Sequence, residues 1–253
     1  MACTSDDSYA QLRARLEDIV YQSDKQATPC FLGFLDLREQ ALLRRVLCAY
    51  PDDTWRFFGG YGEAERTILA VFPDFYDPAF IDYPLCTVAF RFRAVRKLSH
   101  RDVLGTLLAA GIKRETIGDI LCGEGIAVAF LRREIVHYVC EQIDRIGGEG
   151  VQVIPDYNGE LPLSREYQDI SDTIASPRLD AIVKALVRCS RDDAAQLIRN
   201  GMVSLNHLPI ETVSAGIDAP ATVSVRGYGR FLVDQIGPPT KKGRLMLFAR
   251  KCI

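Results

Sequence analysis

The chain has 253 residues, 48% of them hydrophobic and 25% charged, with a mean hydropathy of +0.01, the make-up of an ordinary soluble protein with room for two or three small domains. No apolar run approaches the roughly 18–20 residues that cross a bilayer, and the start, "MACTSDDSYAQLRARLEDIV", lacks the basic flank and apolar core of a secretory signal, so a cytoplasmic protein without a membrane partner is expected. The net charge of −2 hides an asymmetry: residues 171–253 carry twelve Lys/Arg against seven Asp/Glu, +5, which leaves −7 for the rest; a basic module on an acidic body points to an anionic partner met at one place.

In chain order, the first segment reads as helices with a small sheet. "SYAQLRARLEDIVYQSDK" places Leu12, Leu16, Ile19 and Val20 at helical spacing. After "FLGFLD" comes a second helix, "LREQALLRRVLCAY", with Asp36 as N-cap and Glu39 three residues on, the pattern of a capping box. "GGYGEAER" (59–66) matches neither G-x-G-x-x-G nor G-x-x-x-x-G-K-[ST], so it reads as a glycine-permitted turn before a strand near Thr67–Phe72. Proline and aspartate crowd 73–84 and mark a boundary.

From there the pattern is regular. "LCTVAFRFR" (85–93) is a strand with Val88, Phe90 and Phe92 on one face; Ser99 to Ala110 is a helix closed by Gly111. "IGDILC" and "GIAVAFL" are strands turning at "GEG", "RREIVHYVCEQIDRIG" is a helix with Ile135, Val136, Val139, Cys140 and Ile143 buried, and "VQVIP" is a last strand. The order β-α-β-β-α-β is that of a ferredoxin-like or RRM-like domain. Its strands lack the aromatic signature that stacks on bases, so the shape alone confers no RNA binding. Residues 155–176 read as a polar linker or edge structure. The expected class is α+β, with domains at 1–82, 83–156 and 177–253 and a linker at 157–176.

Within this run, "LSHRD" has Ser99 as N-cap and Asp102 at the third helical position, Leu98 and Val103 as a staple, and Val103, Leu104, Leu107 and Leu108 on the buried face. Capping accounts for Asp102. His100 and Arg101 then stand on the first turn beside free backbone N–H groups, with Lys113 and Arg114 at the far end. Three readings stay open for them: solvated side chains, contact with phosphate, and catalysis, for which no nucleophile or substrate pocket is evident nearby.

The eight cysteines, at 3, 30, 48, 86, 122, 140, 189 and 252, form no C-x-x-C pair and no metal-ligand spacing with His137 or His207. They read as free thiols of an intracellular protein, Cys86 and Cys140 buried within apolar runs. No metal or cofactor is expected.

The last segment carries the strongest signal. Its first helix, about Arg178 to Cys189, turns Leu179, Ile182, Val183 and Leu186 inward and Arg178, Lys184 and Arg188 outward. Ser190 caps a second helix, Asp192 and Asp193 favour its N-terminus, Ala194 and Ala195 permit close approach, and Gly201 ends it. A hairpin turns at Asn206-His207, where His207 reads as an exposed turn residue; two strands and a basic loop, "TKKGR", follow.

"RLD…SR…AAQLIRNGMVSLN" resembles the S-four RNA-binding domain over about 178–226. "FLDLREQ", "GGYGEAER", "LSHRDVLGTLLAAGIKRETIGDIL" and "VSVRGYGRF…TKKGR" together resemble the YlmH family of bacterial proteins over about 34–244. The resemblance implies a cytoplasmic RNA-binding protein, which we expect to be monomeric and non-enzymatic: an N-terminal domain, an RRM-like domain and an S-four-type helix pair with a small antiparallel sheet. It implies partners on the large ribosomal subunit, rRNA and also tRNA, in rescue of stalled subunits that carry peptidyl-tRNA, and a link to cell-division genes. Arg178, Ser190, Arg191, Arg199, Arg226 and Arg230 then fall on the RNA-facing module with Lys241, Lys242 and Arg244 beside them, and Lys184 and Arg188 add outward charge. His100 and Arg101 fall in the middle-domain signature, which favours phosphate contact over catalysis. The chain departs from the family at Pro220-Ala221, where a G-D is usual, and at Leu37, where proline is common. An RNA-modifying enzyme would need H-R-L-D-x-x-T-S-G, a cofactor loop or a synthetase signature, and none is present; a protein-interaction or division factor is the third alternative.

Overall fold

Apolar residues recurring at helical spacing produce α1 (Ser5–Gln26), which buries Leu12, Leu16 and Ile19. The computed structural model describes residues 5–93, 95, 97–163, 166–240 and 243–253. β1 (Cys30–Leu35) leads into α2 (Leu37–Leu47), whose start is fixed locally: Asp36 accepts from the Glu39 N–H at 2.8 Å, and Glu39 accepts from the Asp36 N–H at 2.8 Å. β2 (Trp55–Phe58) and β3 (Thr67–Val71) complete an antiparallel sheet of order β1-β3-β2, with β3 buried along its whole length.

β4 (Leu85–Arg91), α3 (His100–Ala109), β5 (Ile117–Gly123), β6 (Ile126–Arg132) and α4 (Arg133–Gln142) follow. A small hairpin of β7 (Arg145–Ile146) and β8 (Glu149–Gly150) precedes β9 (Gln152–Ile154). The sheet order is β5-β6-β4-β9, every neighbouring pair antiparallel. The first helical cap is as expected, with Ser99 and Asp102 bonded reciprocally and Leu98 and Val103 both buried. Two expected core residues are not core. Leu108 is 42% exposed and Cys140 is exposed. On α4 the buried line is Val136 and Val139, continued by Ile143, and one further residue turns the side chain about 100° away.

The chain divides into two compact units, Met1–Ser164 and Arg165–Ile253. The expected boundary near residue 82 therefore lies inside the first unit, and the packing gives the reason. β6 is buried on both faces: Ala127, Ala129 and Leu131 pack with α3 and α4 residues, while Phe130 packs with Phe34 and Ile68. Tyr61 stacks on Phe130 at 5.1 Å between ring centroids. The sheet face that an RRM offers to bases is thus filled at its centre by protein.

In the second unit β10 (Tyr167–Ile174) comes first, then α5 (Leu179–Val187) and α6 (Arg191–Arg199). β11 (Val203–Leu205), β12 (Leu208–Pro209), β13 (Ala221–Val225), β14 (Gly229–Pro239) and β15 (Leu245–Cys252) complete a six-stranded antiparallel sheet of order β10-β15-β14-β13-β11-β12. Eight of the twenty residues of the expected linker at 157–176 therefore form the edge strand β10, paired with β15 from Tyr167↔Cys252 to Ile174↔Leu245. Only Ile174 of β10 is fully buried, so its pattern lacks the alternation that marks a strand. Leu179, Ile182, Val183, Ala194 and Ile198 close the core against Val223, Phe231 and Leu247. The chain turns at Asn206-His207 as expected, with φ of 48° and 69°, both left-handed as a type I′ hairpin requires, but His207 is half-buried where an exposed residue was expected.

Candidate nucleic-acid interface

The N-terminus of α5 is tied down before any side chain acts. Leu179 N–H donates to Ala215 O at 2.8 Å and Asp180 N–H to Val213 O at 3.2 Å. Asp180 shares a helical face with Val183 and is 2% exposed. A carboxylate so placed needs cationic partners, and it has two. Arg178 donates to it through Nε at 3.1 Å and Nη2 at 3.2 Å, and Arg191 through Nε at 2.9 Å. Burial pushes the Asp180 carboxyl up, but the bonds from Arg191 and Arg178 outweigh it and hold the group below the usual carboxylate range. The Arg178 and Arg191 side chains remain 42% and 58% exposed. One buried acid thus orients two arginines and joins the first turns of α5 and α6.

At the other end of α5, Arg188 is the C-cap with φ 55° and ψ 46°. That left-handed conformation is where glycine is favoured and an L side chain costs free energy. Arg188 is exposed and lines a concavity of about 370 Å3 with Lys184, Arg191 and Arg244. Ile174, Ala181 and Ala185 also line it, as do Asp172 and Thr173. Arg244 is anchored there: its Nε–H donates to Thr173 Oγ1 at 2.9 Å and its Nη2 to the Thr173 carbonyl. The Ser190 hydroxyl is taken up by capping, donating to Asp193 Oδ2 at 2.7 Å and accepting from the Asp193 N–H at 3.1 Å.

The expected residues thus separate. Lys184, Arg188, Arg191 and Arg244 converge on one concavity, and Arg178 supports it through Asp180. Arg199, Arg226 and Arg230 do not line it. Arg199 is exposed at the end of α6, and the Arg226 N–H bonds Met202 O at 2.9 Å just beyond that helix. Arg230 is half-buried opposite Ser224 in the β13–β14 pair. Lys241 and Lys242 lie outside the described residues. Other basic charge in this unit is engaged elsewhere: Arg250 makes two bonds to Asp234, at 2.6 and 2.9 Å. Sequence reasoning missed Asp180, Asp172 and Thr173. For Asp180 a signal existed, since an acid among Leu179, Ile182 and Val183 on an otherwise apolar helix side demands a partner.

In the first unit, Arg101 and Lys113 are exposed. Arg114 is half-buried, its Nη1 donating to Ile117 O at 2.6 Å; burial and the nearby Arg66 lower its pKa to about 10. His100 is exposed, and its pKa is lowered, first by partial desolvation of the ring and then by the charge of Arg114. The "GGYGEAER" turn has a structural role that its sequence did not reveal. It wraps the Asp119 carboxylate, which accepts from Tyr61 Oη–H at 2.8 Å, Glu65 N–H at 2.7 Å and Arg66 N–H at 3.0 Å. Arg66 in turn donates to the carbonyls of Ile117 and Phe34, each at 2.9 Å.

Among the described residues no helix is long and apolar enough to cross a membrane. The family model "Putative RNA-binding domain in YlmH" matches residues 79–157. The chain is 32% identical over 215 residues to "Ribosome-associated protein quality control protein P2" of Bacillus subtilis (strain 168), a match covering 83% of this chain and 82% of that protein. Its fold is similar to the solved structure of "Cell division protein ylmH from Streptococcus pneumoniae", with a TM-score of 0.52 and 16% identity over 61% of this chain and 93% of that one. With identity at that level across most of both chains, and the domain match within it, this chain belongs to the YlmH family.

Proposed function

We propose that the protein is a non-catalytic RNA-binding factor of the ribosome, acting on large subunits that carry peptidyl-tRNA in the rescue of stalled translation. In this reading residues 177–253 are an S-four-type module, residues 83–156 an RRM-like fold that stacks no bases on its sheet, and residues 1–82 an N-terminal domain. The protein is cytoplasmic and monomeric.

The observation that carries the reading is the concavity of the second unit, where Lys184, Arg188, Arg191 and Arg244 stand together. Arg188 adds weight, because a position that favours glycine holds a guanidinium instead. Cations spread around a rim suit a phosphodiester backbone running past them, recognised by charge and shape. The names of the relative and of the matching domain, a ribosome-associated quality control protein and an RNA-binding domain, support the same reading. Lys241 and Lys242 extend the contact in this proposal. His100, Arg101, Lys113 and the half-buried Arg114 form a second phosphate contact.

Co-sedimentation of the purified protein with 70S ribosomes and separated subunits, across a salt series, tests the proposal. Enrichment on large subunits, greater when peptidyl-tRNA is retained, is the expected result. Absence from every ribosomal fraction at low salt would defeat it.

A further inference from the structure

We infer that the concavity between α5, α6 and β10 receives one unpaired nucleotide, its base turned inward and its flanking phosphates on the cationic rim. The inference rests on the RNA-binding reading above and refines it. A continuous duplex offers phosphates along its outside, and a flat or convex basic surface suffices for those. This surface is indented by about 370 Å3, near the lower end of the roughly 300–1,000 Å3 of small-ligand sites.

Its lining is also chemically mixed. Ile174, Ala181 and Ala185 are small or apolar and leave room for the face of a flat ring, which gains dispersion contacts there. Asp172 is the wrong group for phosphate, which it repels. It is the right group for the N–H donors on a base edge, as when a carboxylate accepts from the amino group of cytosine. Its Oδ1 accepts from the Thr173 N–H at 2.6 Å, which sets the carboxylate against its own strand. Arg244, anchored on Thr173 at 2.9 Å, presents a planar guanidinium beside it, a group that stacks on bases. Apolar surface, edge acceptor and cations thus lie around one concavity, and they correspond to the face of a base, its hydrogen-bonding edge and the flanking phosphates. The acceptor at Asp172 favours guanine, which offers two adjacent N–H donors including its exocyclic amino group, over uracil, whose one N–H lies between two carbonyl oxygens that repel a carboxylate.

The test uses the full chain and three labelled RNA duplexes of equal length: fully paired, with one bulged guanosine, and with one bulged uridine. Fluorescence anisotropy gives the three affinities. The bulged guanosine should bind about tenfold tighter than the paired duplex, the scale of one good base-edge recognition, and tighter than the bulged uridine. Asp172→Asn should remove the preference for guanosine over uridine. Ala181→Leu, which occupies the concavity, should bring the ratio of bulged to paired affinity towards one. Equal, salt-dependent affinity for all three RNAs would overturn the nucleotide site and leave the RNA-binding reading standing. No binding to any of them at low salt would overturn both. If Ala181→Leu fails to fold, the wild-type ratios and Asp172→Asn still decide.

Discussion

Arg188→Gly is expected to make the protein more stable and worse at binding RNA. Arg188 ends α5 at φ 55° and ψ 46°, a conformation that costs an L residue about 1–2 kcal/mol. Glycine adopts it freely but loses more backbone entropy on folding, a difference of about 0.5–1 kcal/mol. The arginine side chain is exposed, so little folded-state packing is lost with it. The two terms leave a net gain of about 0.5–1 kcal/mol, and for a unit of this size each kcal/mol moves Tm by roughly 4–8 °C. Urea unfolding followed by circular dichroism reads the gain as a higher midpoint at unchanged slope. RNA affinity should fall, and the slope of log affinity against log salt should shrink by about 0.9, the loss of one phosphate contact. A variant that is more stable yet binds RNA with unchanged affinity and salt slope would show that the side chain at this cap is not kept for RNA.

Asp180→Asn should destabilise the protein by about 2 kcal/mol, since charge-assisted bonds are each worth roughly 1.5–3 kcal/mol but the arginine partners are half-exposed. Because the folded carboxyl is depressed, its contribution is complete above about pH 3.9 and disappears as pH falls through the folded value; the gap between wild type and variant should therefore close on acidification, and a gap independent of pH would contradict the ion-pair account. Arg191→Glu should weaken RNA binding more than Arg199→Glu, because Arg191 lines the concavity and Arg199 does not; equal losses in parallel titrations would move the contact face along α6. Gly60→Ala should destabilise the first unit by about 2–4 kcal/mol, since Gly60 has φ +100° and a Cβ there would run into the Phe130 ring; chemical denaturation showing a neutral change would count against the close packing of the 59–66 turn on β6.

Local features were legible in the sequence because their partners lie a few residues apart. The capping pairs Asp36 with Glu39 and Ser99 with Asp102 form, each needing only a spacing of three, and Ser190 caps α6 as expected, its partner Asp193 reading in sequence only as an acid favoured by the helix N-terminus. The helical stripe of α5 was equally readable. Leu108 and Cys140 were misplaced because periodicity gives the width of an apolar stripe only to within one residue, and the neighbouring elements decide its edge. β10 reads in sequence only as linker or edge structure because just one of its eight residues, Ile174, is fully buried, too few to mark an alternating apolar face.

Composition, spacing and motif by themselves determined an α+β protein, a basic final module with a helix pair, and a resemblance to the YlmH family. The tertiary structure decided which cations act together. Arg244 meets Thr173 across a separation of 71 residues, and Tyr61 meets Asp119 across 58. It also buried Asp180 between two arginines, filled the centre of the β4–β6 sheet face with Tyr61, Phe34 and Ile68, and left Arg199, Arg226 and Arg230 outside the concavity. Spacing along the chain fixes which residues share a turn or a helix face, but convergence depends on sheet order and helix docking. Those follow from burial of apolar surface summed over the whole core, a quantity that no short stretch of sequence contains.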